Sequence, residues 1–181
     1  MVKFLSKWIL KLLGWKTIGT FPDGKKYVVT AAPHTSTLDF IYGRLYYFSI
    51  GKKVKFMVKG AYFFFPLGLI LKALGGIPVY PNKRVSLVDQ MLAQFNQRDS
   101  FLLTIAPEGT RKKVKNWKKG FLYIAQKAKV PIVVGSLDFK NKTVGVEGVF
   151  YPSADMDADL VEIKRYYKNK TGRHPERFSC E

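Results

Sequence analysis

Cysteine is nearly missing: the 181 residues hold one, Cys180, beside the C-terminus. A disulfide framework and a cysteine-based zinc site are thereby excluded, and a reducing compartment is the easier setting. Histidine is almost as scarce, with only His34 and His174. Acidic residues number 13 against 31 Lys plus Arg, a formal net charge of +18. No apolar run reaches the ~20 residues needed to cross a bilayer. No small-x-small cleavage site follows the N-terminal apolar stretch, so no signal peptide is expected. Internal repeats and low-complexity segments are also missing.

What is present argues for a folded chain. Hydrophobic residues make up 47% and aromatics 15%, which excludes a charge-solvated disordered protein. The length suits one domain, which at this size buries roughly 68–70% of its surface. The basic charge is unevenly spread. Between Asp39 and Asp89 there are eight basic residues and no acid, and the same holds between Glu108 and Asp138. Such one-signed stretches suit a polyanion, whether nucleic acid, an anionic membrane or a phosphorylated substrate; they also suit a solvated basic surface.

Residues 1–13 predict an amphipathic helix. Val2, Leu5, Trp8, Ile9, Leu12 and Leu13 fall at helical spacing, with Lys3, Lys7 and Lys11 on the other side. That pattern fits a helix lying in a membrane interface, and equally a helix packed on its own domain. Gly14 and Gly19 then break it. Strands are expected over 27–32, 54–58, 77–80, 101–105, 132–138 and 143–147. Helices are expected over 36–50, 66–74, 85–97, 116–129 and 157–167. The uncharged stretch Ala61–Leu71 lies between Lys59 and Lys72. The alternation predicts a single α/β domain with a mixed, mostly parallel sheet flanked by helices and a late antiparallel hairpin. Residues 1–20 read as the N-terminal helix and linker, 21–170 as the domain, and 171–181 as a polar tail.

Two constellations could carry chemistry. His34 directly follows the strand 27–32, in the loop where open α/β sheets place ligands. Asp39, five residues on, could accept a hydrogen bond from its imidazole and so suit His34 to general-base work. Ser36-x-x-Asp39 is also close to an ordinary capping box. The second constellation, Pro107-Glu108-Gly109-Thr110-Arg111, follows the strand 101–105 and should lie along the same sheet edge. Gly109 lets backbone approach a ligand, while Thr110 and Arg111 offer donors suited to a phosphate. A plain turn with a surface Arg is the alternative. Six basic residues crowd positions 111–119.

His34-Thr-Ser-Thr-Leu-Asp39 and Pro107-Glu108-Gly109-Thr110-Arg111 resemble the H-x4-D and P-E-G-T-R motifs of the glycerolipid acyltransferases, which include the 1-acylglycerol-phosphate acyltransferases. Gly75-Gly76-Ile77-Pro78-Val79 is similar to the family's intermediate block, and Val130-Pro131-Ile132-Val133-Val134 to its final apolar block. The four occur in family order over about 27–138. The family commonly has Asn before the motif His, where this chain has Pro33. It also has an Arg soon after the intermediate strand, where this chain offers Lys83 and Arg84.

The resemblance implies a fatty acyl transfer from acyl-CoA or acyl carrier protein to the hydroxyl of a lysophospholipid, with 1-acylglycerol 3-phosphate foremost and another lysolipid or amino-acyl lipid as an alternative. His34 would be the base and Asp39 its orienting partner. Glu108, Gly109, Thr110 and Arg111, with Lys83 and Arg84, would bind substrate. No metal, cofactor or nucleic acid is implied. Short apolar segments ringed by lysine place the chain as a monotopic protein on the cytoplasmic face of an anionic membrane. Two rivals remain at this point. A nucleic-acid-binding module would account for the charge but lacks a recognisable motif. A metal hydrolase built on His34, Asp39 and Glu108 would have a poor ligand set.

Overall fold

The computed structural model describes residues 1–81 and 85–180. Lys83 and Arg84, two of the expected phosphate contacts, lie outside the described residues.

The apolar runs form strands, those at the centre of the sheet with both faces covered. β2 (Lys26–Ala32), β5 (Phe101–Ile105), β3 (Val54–Lys59) and β4 (Gly76–Val79) pair side by side in parallel. On its other side β2 pairs in parallel with β6 (Ile132–Asp138), every residue of which is buried. Such unbroken apolar sequence belongs to strands sandwiched between helical layers. β6 turns back into β7 (Thr143–Phe150), the expected antiparallel hairpin, which runs to Phe150. The seven-stranded order is β1-β7-β6-β2-β5-β3-β4. β1 (Lys16–Ile18) is a three-residue edge strand alongside β7 that the sequence did not suggest.

Successive residues of a strand point to opposite faces, and two cores result. Val28, Leu103 and Val134 meet α4 (Leu87–Gln97), α5 (Gly120–Ala128) and α6 (Met156–Arg165), through Phe95, Phe121 and Ile163. Val29, Leu102 and Val133 meet α1 (Val2–Leu12) and α2 (Leu38–Ile50), through Leu10, Tyr46 and Tyr47. Phe101, on β5, meets Phe95 edge-on with ring centroids 4.7 Å apart.

Helix ends follow local chemistry. Ser86 accepts from the Asp89 amide at 3.1 Å and donates back to its carboxylate, starting α4. Asp155 caps α6 by accepting from Asp157 and Ala158. α2 starts at Leu38 rather than Ser36, because the Thr35 and Ser36 amides are drawn onto the Asp39 carboxylate. α5 starts at Gly120 rather than near 116, because Trp117 is buried with its indole N–H given to the Ser179 carbonyl at 3.0 Å.

α1 docks on α2 through a narrow seam. Ser6 and Leu10 are buried, whereas Phe4 is 77%, Trp8 55% and Leu12 69% exposed. A second exposed apolar group, Phe64, Phe65, Leu69 and Ile70, sits at and just before α3 (Leu67–Ala73). Among the described residues no helix is long and apolar enough to cross a membrane. The segment expected as a polar tail returns to the domain, with Phe178 and Cys180 against the core.

Candidate active site

Adjacent parallel strands deliver both motifs to one place. β2 and β5 pair in register, Thr30 opposite Ile105, so the loops leaving their carboxyl ends emerge side by side. The His34 backbone N–H donates to Glu108 Oε1 at 2.7 Å, joining the two motifs directly.

Within the first loop, Asp39 occupies the opening turn of α2 and folds its carboxylate back. Oδ2 accepts from the Thr35 amide at 2.7 Å and the Ser36 amide at 2.8 Å, and lies 3.2 Å from His34 Nδ1. Asp39 is thus both a helix-start carboxylate and the imidazole's partner, so the two readings of the spacing are one structure. A donated Nδ1–H leaves Nε2 as the free, basic nitrogen. The His34 side chain is 30% exposed and Asp39 is buried. Substrate can therefore reach the imidazole while water is kept from its partner.

Glu108 lies beside the same histidine. It is 3% exposed, and burial pushes its carboxyl up to about 6, opposed by the N–H bond from His34. Its Oε2 and Asp39 Oδ1 are buried without a hydrogen-bond partner among the described residues. Gly109 takes a left-handed backbone, φ +66°, and its α-carbon faces the Lys118 stem, where a Cβ would lie 2.9 Å from Cδ. The Lys118 amide closes this turn onto the Pro107 carbonyl at 2.9 Å. The Thr110 hydroxyl accepts from the Lys112 amide at 3.3 Å. Arg111 reaches across to donate to the Thr37 hydroxyl, a second tie between the motifs.

These groups open onto a cavity of about 840 Å³. Its walls come from both faces of the sheet, with Phe40, Arg44 and Tyr47 of α2 on one and Val88, Phe121 and Ile124 of α4 and α5 on the other. The lining is mainly apolar with a few polar groups at the His34 end, the composition of a site for an amphipathic ligand. The structure thus brings together His34, Asp39, Glu108, Gly109, Thr110 and Arg111. Among the described residues no three His, Cys, Asp or Glu side chains cluster as a metal site.

Three residues of the site escaped the sequence. Thr37 has no motif role in the spacing. Lys118 is one lysine of a basic run. Arg44 is only 6% exposed, donates to the Val54 carbonyl at 2.6 Å and lies 4.6 Å from the Phe48 ring centroid, and burial lowers its pKa. A helical-face count could have placed Arg44 inward, since Phe40 and Tyr47 fall on the same side.

Comparison with known proteins agrees with this geometry. In the solved structures, a 1-acyl-sn-glycerophosphate (LPA) acyltransferase, PlsC, from Thermotoga maritima is similar at a TM-score of 0.63 and 17% identity, covering 91% of this chain and 76% of that one. At that identity the likeness speaks for the fold. No curated protein matches the chain. The Acyltransferase family model matches residues 15–136, a span that takes in both motifs, the sheet edge joining them and most of the cavity wall, and the chain belongs to that family.

Proposed function

We propose that the protein transfers a fatty acyl group from an acyl thioester, acyl-CoA or acyl carrier protein, to the hydroxyl of a lysophospholipid, with 1-acylglycerol 3-phosphate as acceptor and phosphatidic acid as product. The observation that carries this is the His34–Asp39 pair opening onto a large, mainly apolar cavity beside Arg111.

The acceptor hydroxyl gives its proton to His34 Nε2 as its oxygen attacks the thioester carbonyl. The Asp39 and Glu108 carboxylates stabilise the imidazolium that forms. Collapse of the tetrahedral intermediate breaks the C–S bond, and the proton passes from His34 to the leaving thiolate. Base catalysis of this kind is worth roughly 10²–10⁴-fold. Arg111, with Lys83 and Arg84, binds the acceptor phosphate.

The lipid substrates place the site at a membrane surface. The exposed Phe4, Trp8 and Leu12 of α1, the exposed Phe64 and Phe65, and the net charge of +18 support a monotopic protein on the cytoplasmic leaflet. Burial of apolar surface contributes about 25 cal/mol per Å², and each Lys near an anionic leaflet about 1 kcal/mol.

Purified protein, labelled palmitoyl-CoA or palmitoyl carrier protein, and a panel of lysolipids test the reading. Transfer to lysophosphatidate is expected, and His34→Ala should remove nearly all of it. A variant retaining more than about a tenth of the rate would refute the base assignment, given its usual ~10²-fold minimum.

A further inference from the structure

The C-terminal segment 170–180 lies behind the catalytic loop, on contacts that the motifs do not include. The Lys170 ammonium sits 2.7 Å from Glu147 Oε1, which accepts from the Ser136 hydroxyl. Ser136 is paired in register with Ala32, two residues before His34. The Thr171 carbonyl accepts from the Phe139 amide at 2.8 Å. Gly172 is buried against the loop itself, and the His174 amide donates to the Thr35 hydroxyl at 3.2 Å. Thr35 is fully buried, and its own amide is one of the two held by Asp39.

The far end of the same segment holds the other motif. The Ser179 carbonyl accepts the Trp117 indole N–H, and the Phe178 and Trp117 ring centroids are 6.2 Å apart. Trp117 is followed by Lys118, whose amide closes the Pro107–Gly109 turn and whose stem lies against Gly109.

We infer that the C-terminal segment is a clasp that sets the catalytic loop against the Glu108–Arg111 loop, with Gly172 the positioning residue that places Thr35 and hence His34 and Asp39. The inference rests on the acyl-transfer reading of His34. The Gly172 backbone lies outside the left-handed region, so another residue could adopt it; the space is what forbids one. A Cβ there would lie 2.7 Å from both Thr35 Cγ2 and Oγ1, and 3.2 Å from Pro33 Cβ. Thr35 and Pro33 flank His34 in the chain, so a methyl group there forces the segment and the loop apart. A 1 Å displacement of a catalytic group can cost about 10²-fold in rate.

The test is Gly172→Ala in the full chain, with palmitoyl-CoA and lysophosphatidate as substrates. The expected result is a fall in kcat of about 10- to 100-fold, with both KM values little changed, a melting temperature lowered by about 2–12 °C that leaves the protein folded at assay temperature, and displaced His34 ring signals in the 1H–15N spectrum. Adding Thr35→Ala removes both opposing atoms, and should bring kcat back to that of Thr35→Ala alone. Trp117→Phe, which deletes the N–H donated to Ser179, should move the same His34 signals from the other end, and carries the test if Gly172→Ala does not fold. Unchanged kcat in Gly172→Ala, or His34 signals that stay in place in whichever of the two variants folds, would overturn the clasp. Wild-type protein that transfers no acyl group, yet whose His34 signals move in the variants, would sink the acyl-transfer reading and leave the mechanical link standing.

Discussion

Replacing Glu108 by Gln should stabilise the protein at neutral pH while impairing it as an enzyme. The side chain is 3% exposed; Oε1 accepts the His34 amide and Oε2 has no hydrogen-bond partner among the described residues. A Gln keeps the acceptor and removes the charge. Burial raises the carboxyl from its ordinary 4.5 to about 6, which corresponds to about 2 kcal/mol against the ionised form. Below pH 4.5 the group is protonated in both folded and unfolded chains and contributes no difference. Between 4.5 and 6 the unfolded chain ionises first, so wild-type stability falls as pH rises, and above 6 the full deficit is present. Urea titrations of wild type and Glu108→Gln at pH 8, 6 and 4.5 should therefore show the variant ahead by about 2 kcal/mol at pH 8, shrinking toward zero at 4.5. At this chain length that is about 4–8 °C in melting temperature. Turnover should fall by about 10- to 100-fold, because one of the two charges beside the developing imidazolium is gone. A variant less stable than wild type at pH 8, or a difference that does not depend on pH, would refute the reasoning. The Glu108 carboxylate would then be favourably solvated in the fold.

Other perturbations separate the remaining roles. Arg111→Ala should raise the acceptor KM by losing a charge-assisted phosphate contact worth about 1.5–3 kcal/mol; loss confined to kcat would mean that its tie to Thr37 is what matters. Gly109→Ala should destabilise the protein by about 1–3 kcal/mol in denaturant titrations, because its φ of +66° and the Lys118 stem both oppose a Cβ. A loss within error of zero would place the turn in another conformation. Changing the exposed Phe4, Trp8 and Leu12 to Ser should weaken sedimentation with anionic vesicles without lowering the melting temperature, and high salt should weaken what is left. Wild-type protein that stays in the supernatant with such vesicles at low salt would refute the membrane reading.

The sheet and the two motif loops were legible because both are local facts. Apolar runs such as Phe101–Ile105 declare buried strands, and a loop after a parallel strand must open at the carboxyl edge. Two such strands placed side by side put His34 against Glu108, which the residues alone could only suggest. What escaped depends on partners distant in sequence. β1 exists as a strand through its pairing with Thr143–Gly145. The end of the chain looked like a polar tail because its composition is polar, yet its anchors are backbone groups such as the His174 amide and the Ser179 carbonyl, which composition does not record. The helix expected over 116–129 includes Trp117; its indole partner, 62 residues away, holds it out of one.

The N-terminal helix shows why amphipathicity could not choose between its two readings. A hydrophobic stripe states that one side of a helix is apolar; it does not state what covers that side. Here the packing seam is Ser6 and Leu10, at the margin of the stripe, with the basic residues Lys3, Lys7 and Lys11 beyond it. The domain uses that margin and leaves Val2, Leu5 and Leu12 uncovered beside Phe4 and Trp8. A helix meant solely for the core would turn Trp8 inward, since burying an aromatic side chain is among the larger stabilising contributions a surface helix can make. Docking through a serine and one leucine forgoes that contribution and keeps the apolar side available. Contiguous exposed apolar surface of this kind supports the membrane contact proposed above, and the lysines that border it favour an anionic leaflet.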